Sequence, residues 1–114
     1  MPEAASSLLL PLAVGYHRAA EWLLLGEPFS GEDAFRAGFV NRLVEPEALD
    51  ETAMTIAHAI AALPPEAVQL SKRLVKEPLQ DQTMSAIRRE AAVFVERLRS
   101  REAKRAFAAF LSKA

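Results

Sequence analysis

A single carboxylate near the start of the chain is the residue best placed to carry chemistry. Glu3 follows Pro2 and precedes two hydroxyl residues, Ser6 and Ser7, and then the apolar run 8–10. An apolar wall raises the pKa of a neighbouring carboxyl group and makes its anion a stronger base. Glu3 is thus a candidate general acid/base. On these residues alone the favoured interpretation is a first-turn acid, which the helix dipole stabilises by about 0.3 to 1 kcal/mol.

The other polar candidates have plainer interpretations. Ser6 and Ser7 are expected to bond to the nearby backbone rather than to a substrate. His17 and His58 lie far apart without acidic partners at metal or triad spacing, so both are expected to be ordinary helical histidines and no metal site is predicted. Trp22 falls among leucines, which predicts a core position rather than a stacking platform.

Composition bounds the class of protein. The 114 residues are one domain's worth of chain, and 51% hydrophobic with 25% charged residues is typical of a globular domain, so we expect a single domain over 1–114. Cysteine is absent, which excludes thiolate chemistry and fits a reducing, cytoplasmic location. The apolar run 8–14 lacks the basic flank of a signal peptide and is too short to span a bilayer.

Charge is balanced overall but uneven along the chain. The net charge of −1 gives no reason to expect a nucleic-acid or membrane partner. Residues 1–50 carry eight acids against three bases, whereas residues 84–114 carry eight bases against three acids. The arginine-rich face between Arg88 and Arg105 is interpreted as a solvated helix face. Nucleic-acid binding by this basic end is a weaker hypothesis, which the acidic first half argues against.

The periodicity predicts a mainly helical chain. Apolar spacing, glycine stops and prolines at first turns predict helices over about 3–14, 16–25, 30–38, 47–62, 65–76, 84–98 and from 100 onward. Pro11 is expected to bend the first of them. Residues 39–44 alternate imperfectly and are the one predicted strand, which would need a partner outside this chain or would lie against the helices as an extended segment.

Several segments together resemble a known family. The stretches that carry the resemblance are 2–11 (PEAASSLLLP), 18–26 (RAAEWLLLG), 34–44 (AFRAGFVNRLV), 63–67 (LPPEA) with Ser71-Lys72, and 109–113 (AFLSK). In order and spacing they are similar to the C-terminal portion of the enoyl-CoA hydratase/isomerase (crotonase) family, closest to its isomerase branch. The resemblance implies the helical C-terminal, oligomerising part of a ClpP/crotonase α/β spiral fold. The family's N-terminal half, with its β-β-α core, adenine pocket and oxyanion-hole amides, has no counterpart in these residues.

The resemblance also implies a reaction. In the isomerase branch, the Pro-Glu-small-small-Ser-Ser pattern carries the catalytic base, which corresponds to Glu3. One carboxylate would take a proton from C2 of a fatty 3-enoyl-CoA thioester and return it at C4, while preorganised donors hold the enolate. Hydration of the 2-enoyl-CoA thioester is the alternative reaction that the resemblance leaves open. No cofactor is implied, because coenzyme A is part of the substrate. Without the oxyanion donors, the isolated chain is expected to have little activity.

The end of the chain carries a weaker site expectation and a rival function. By resemblance, Phe110 and Lys113 would contact coenzyme A; the alternative is a core phenylalanine and a solvated lysine. The family also implies a homo-oligomer, a trimer or hexamer, built through its last helices. The rival to an enzyme is therefore a non-catalytic helical oligomerisation or interaction module that uses the apolar faces of 84–98 and 107–111.

Overall fold

Helices make up most of the chain. The computed structural model describes residues 1–111. Over this range the α-helices are α1 (Ser6–Val14), α2 (Tyr16–Leu25), α3 (Gly31–Arg36), α4 (Leu49–Ala61), α5 (Pro65–Lys76), α6 (Gln80–Leu98) and α7 (Arg101–Leu111). Two 3₁₀ turns, Pro46–Ala48 and Glu77–Leu79, lead into α4 and α6. The helical interpretation of the sequence is confirmed, with most boundaries within three residues of those expected.

The first compact unit joins the two ends of the chain. It contains Met1–Pro28 and the described residues from Gln82 onward, so α1 and α2 belong with most of α6 and with α7. Gly15 separates α1 from α2, and these two helices pack together. Gly26 closes α2 in the left-handed conformation, φ 65°, and its N–H donates to the Trp22 carbonyl at 3.1 Å. Glycine suits this position because it has no Cβ to clash at positive φ.

The second compact unit, Phe29–Asp81, contains α3, α4 and α5. The predicted capping box is present: the Ser30 hydroxyl accepts from the Asp33 N–H at 3.0 Å, and the Asp33 carboxylate accepts from the Ser30 N–H at 3.4 Å. Gly31 lies close to Leu43, since a Cβ at position 31 would stand 3.0 Å from Leu43 Cδ1. The rings of Phe29 and Phe39 meet edge to face at 6.3 Å.

The strand expected over 39–44 is wrong. No strand forms among residues 1–111, and 39–41 form a bend that follows α3. The N–H groups of Phe39 and Val40 both donate to the Ala34 carbonyl, at 2.8 and 3.4 Å. These amides complete the end of α3 instead of a ladder. A lone strand has no partner for its backbone groups, whereas a helix end offers free carbonyls at once.

Small residues form the buried core. Ala5, Ala19 and Ala86 are fully buried and Ala34 nearly so, and no large side chain within the described range is fully enclosed. Many large apolar side chains are exposed instead, among them Leu24 at 84%. Large apolar side chains therefore make up part of the exposed surface of the described residues.

Candidate functional site

Glu3 lies in a turn ahead of α1 rather than in a helix. It is exposed, and α1 begins three residues later at Ser6 with no acid in its first turn. The alternative in which Glu3 stabilises a helix as a first-turn acid is therefore wrong. The backbone of Glu3 is held on both sides: its N–H donates to the Ser6 hydroxyl at 3.1 Å, and its carbonyl accepts from the Ser6 N–H at 3.0 Å.

The turn that follows Glu3 has an uncommon backbone. Ala4 and Ala5 have φ values of 57° and 64°, and they are the non-glycine residues at positive φ in residues 1–111. Each alanine in the left-handed region costs about 1 to 2 kcal/mol relative to the right-handed helix. Such strain persists where surrounding contacts determine the backbone, and it is common at functional sites.

A carboxylate from α6 supplies those contacts. Glu90 accepts hydrogen bonds from the Ala5 N–H at 2.7 Å, from the Ser7 N–H at 2.9 Å and from the Ser7 hydroxyl. Ala5 is the N-cap of α1 and has no side chain that can cap the helix, so Glu90 satisfies helix-start amides from 83 and 85 residues away. A negative charge at this end of α1 also matches the helix dipole. We call Glu90 and the segment 3–7 the capped turn.

Glu90 is charged although it is buried. Its residue is only 7% exposed. Burial raises the pKa of Glu90, but the bonds from the Ser7 hydroxyl, the Ser7 amide and the Ala5 amide lower it, with a contribution from the Arg89 charge. The net result is a pKa below the ordinary glutamate value. The donors around the carboxylate therefore outweigh its desolvation, and Glu90 is an anion at neutral pH.

The two serines have different roles. Ser6 bonds to the nearby backbone, as expected. For Ser7 that expectation is wrong, because its hydroxyl and amide both donate to Glu90 on α6. Phe110 lies in α7, and its proposed contact with coenzyme A stays a prediction. Lys113 lies outside the described residues.

His17 is the next candidate along the chain and lies in α2. His17 is exposed and its ring meets Tyr16 edge to face at 5.7 Å. In residues 1–111 no group of three or more histidine, cysteine or acidic side chains is arranged to hold a metal ion. Within the same range no helix is both long and apolar enough to cross a membrane.

A cleft is present in the described part of each compact unit. A cleft of about 300 Å³ lies between α6 and α7, with Phe94, Leu98 and Ala106 among its walls. A cleft of about 900 Å³ lies between α4 and α5, and its lining is mainly apolar but includes Lys72 and Lys76. Glu3 is not among the residues that line either cleft.

Glu90 is the site residue that the sequence interpretation missed. A signal was present, because Glu90 lies three residues after Ile87 and four before Phe94, within the apolar stripe of α6. A carboxylate in an apolar stripe needs buried donors. The sequence does not show that those donors are the amides of Ala5 and Ser7.

Comparisons with known proteins agree with one another. The family model described as Enoyl-CoA hydratase/isomerase matches residues 1–114. The chain is 33% identical over 100 residues to the short-chain-enoyl-CoA hydratase of Clostridium acetobutylicum, covering 88% of this chain and 38% of that protein. It is 27% identical over 112 residues to enoyl-CoA delta isomerase 2 of Rattus norvegicus, covering 98% of this chain and 29% of the relative.

A solved structure extends the agreement to the fold. The enoyl-CoA hydratase/isomerase from Pseudoalteromonas atlantica T6c superposes with a TM-score of 0.94 at 41% identity, over 99% of this chain and 46% of that one. The chain thus spans less than half the length of each of these relatives. The predicted fold class, the helical part of a crotonase-like fold, is confirmed. From its family match, its relatives and its architecture, the chain belongs to the enoyl-CoA hydratase/isomerase family.

Proposed function

We propose that the polypeptide carrying this chain converts fatty 3-enoyl-CoA thioesters to 2-enoyl-CoA thioesters, with Glu3 as the general acid/base. The observation that carries the proposal is the capped turn, which presents an exposed carboxylate on a backbone fixed from α6. The similarity to the rat enoyl-CoA delta isomerase 2 supports isomerisation, and the similarity to the Clostridium hydratase identifies hydration as the competing reaction.

One carboxylate suffices for the proton movements. Glu3 takes a proton from C2 of the 3-enoyl thioester, and the electrons of that C–H bond form the C1–C2 double bond of a dienolate. The protonated Glu3 then returns the proton at C4, which leaves the double bond between C2 and C3. General acid/base catalysis of this kind contributes about 10²- to 10⁴-fold. The resemblance assigns stabilisation of the enolate oxygen to the upstream half of the family fold.

The test is turnover by the polypeptide purified at its natural length. Wild-type protein is expected to isomerise 3-enoyl-CoA, and Glu3→Gln should lower kcat by about 10²-fold or more because the amide cannot take the proton. Glu27→Gln removes an exposed carboxylate from the loop after α2 and is the matched control, expected to match wild type. Hydration of 2-enoyl-CoA without isomerisation would identify a hydratase and overturn the isomerase proposal.

The second candidate function is a non-catalytic helical assembly module. It rests on the exposure of the apolar faces of the last two helices, including Met84 at 44%, Phe107 at 56% and Leu111 at 72%. Burying such faces between copies is favourable at about 25 cal/mol per Å². From its resemblance to the family, we propose a homo-oligomer, a trimer or hexamer, for the natural-length polypeptide, and the exposed faces offer surface that association would bury. Light scattering is expected to give three or six times the chain mass, and a monomer at high concentration would contradict this.

A further inference from the structure

The carboxylate of Glu90 and the candidate base are linked through the segment 5–7. Ser6 holds Glu3 by two hydrogen bonds: the Ser6 hydroxyl accepts from the Glu3 N–H, and the Ser6 N–H donates to the Glu3 carbonyl. Ser6 itself lies between Ala5 and Ser7, the two residues whose amides donate to Glu90 at 2.7 and 2.9 Å. The backbone of Glu3 is therefore bonded to Ser6, and both sequence neighbours of Ser6 are bonded to Glu90 on α6.

The contacts between Glu90 and the capped turn compensate both a buried charge and an uncommon backbone conformation. Glu90 is 7% exposed, and a buried carboxylate is tolerated when donors compensate it fully. Its two oxygens take three donors from a single short segment. That segment includes two alanines at positive φ, a conformation that a short peptide of this sequence would leave unless its amides were held. Since α1 has no capping side chain of its own, the hold comes from Glu90.

We propose that Glu90 is a positioning residue for the base: it fixes the capped turn and thereby the direction in which Glu3 presents its carboxylate. The inference rests on the proposed function of Glu3 and adds a residue that acts through it. Glu90 does not touch the reacting atoms. A misplacement of about 1 Å at a reacting group can cost about 10²-fold in rate, so the loss of this hold is expected to lower kcat more than KM.

The test is Glu90→Gln in the natural-length polypeptide. Glutamine keeps the size of the side chain, but it has one acceptor oxygen and presents an NH₂ group to one of the donors. We expect kcat for 3-enoyl-CoA to fall by roughly 10- to 100-fold while KM changes by less than about threefold. Glu96→Gln, an exposed carboxylate on the same helix, is the matched control and should leave both constants unchanged.

A structural readout separates positioning from a general loss of folding. Hydrogen exchange at the Ala5 and Ser7 amides is expected to accelerate at least tenfold in Glu90→Gln, while exchange in α2 stays as in wild type. If Glu90→Gln fails to fold, Ser7→Ala answers the question, because it removes the hydroxyl bond and leaves both amide bonds in place. Its expected effect has the same direction and is smaller.

Each outcome decides the proposal. Unchanged exchange at Ala5 and Ser7, or accelerated exchange with wild-type kcat, would overturn it. If the wild-type protein does not isomerise 3-enoyl-CoA, the proposed function fails separately, and the NMR chemical shift of the Glu3 backbone amide, which donates to the Ser6 hydroxyl, decides the positioning role. A changed shift of this amide in Glu90→Gln, but not in Glu96→Gln, supports positioning, and identical shifts refute it.

Discussion

Removing the Glu90 carboxylate should destabilise the protein by about 2 to 4 kcal/mol. Glu90→Ala leaves the Ala5 N–H without an acceptor, and Ala5 is fully buried, so water cannot replace the lost bond. An unsatisfied buried donor costs about 1 to 3 kcal/mol. The Ser7 N–H and hydroxyl belong to an exposed residue and can bond to water, so each loses only the net value of its bond, about 1 kcal/mol.

An opposing effect reduces that sum. Glu90→Ala also relieves the desolvation of a buried charge, which favours the variant. The pKa of Glu90 lies below its ordinary value although burial alone raises it, so the donors outweigh desolvation and the net effect remains a loss. With three bonds lost and this relief included, about 2 to 4 kcal/mol is expected.

Urea unfolding of the natural-length polypeptide measures the loss. If the free energy of unfolding falls by about 2 kcal/mol per M of urea, the urea midpoint of Glu90→Ala should lie about 1 to 2 M below that of wild type. Glu96→Ala is the control on the same helix, and as an exposed substitution it should stay within about 0.5 kcal/mol of wild type. A midpoint for Glu90→Ala equal to that of Glu96→Ala would show that the carboxylate does not hold the capped turn.

Three further expectations concern the pH dependence of stability, the capping box and the left-handed turn. The pKa of Glu90 is lower in the folded protein than in the unfolded chain, so this group stabilises the fold above the unfolded pKa, and the contribution is lost as the pH falls through the folded value. On acidification below about pH 4.3, the free energy of unfolding should therefore fall less in Glu90→Gln than in wild type. Parallel pH profiles of the two proteins would contradict this. Ser30→Ala should cost about 1 kcal/mol in urea unfolding, because it removes the acceptor for the Asp33 N–H at the start of α3; no loss would show that the box is dispensable. Ala4→Gly should raise stability by about 0.5 kcal/mol, because glycine adopts φ 57° without strain and position 4 is exposed; a loss of more than 1 kcal/mol would indicate that the alanine methyl is needed.

The elements that the sequence predicted well are those with local signals. Pro65 opens α5 and Gly26 ends α2, and each acts through its own backbone. The capping box of α3 is equally local, since both partners lie within four residues. Such features depend on short-range geometry, which residue type and spacing specify directly.

The elements that it missed depend on contacts that residue type and spacing do not specify. The start of α1 depends on Glu90, 85 residues beyond Ala5, so the sequence around Glu3 suggested a helix that begins too early. The strand expected at 39–44 failed because the Phe39 and Val40 amides found the Ala34 carbonyl. An alternation of apolar and polar residues does not show whether the backbone amides will bond to a nearby carbonyl or to a partner strand.

The candidate site was predictable in part. Glu3 follows from its type, its neighbours and the family resemblance, and the structure places it on an exposed turn. The strain at Ala4 and Ala5 carries no residue-type signal, because glycine is the usual marker of positive φ. Glu90 stood in the apolar stripe of α6, but its donors come from the other end of the chain.

The most direct measurement is the rate at which the natural-length polypeptide converts 3-enoyl-CoA deuterated at C2, with the label followed to C4. If Glu3 alone moves the proton from C2 to C4, the wild-type product carries deuterium at C4. Glu3→Gln should then form product at least about 10²-fold more slowly. Glu27→Gln should behave as wild type. Conversion by Glu3→Gln at the wild-type rate would contradict the assignment of Glu3 as the acid/base.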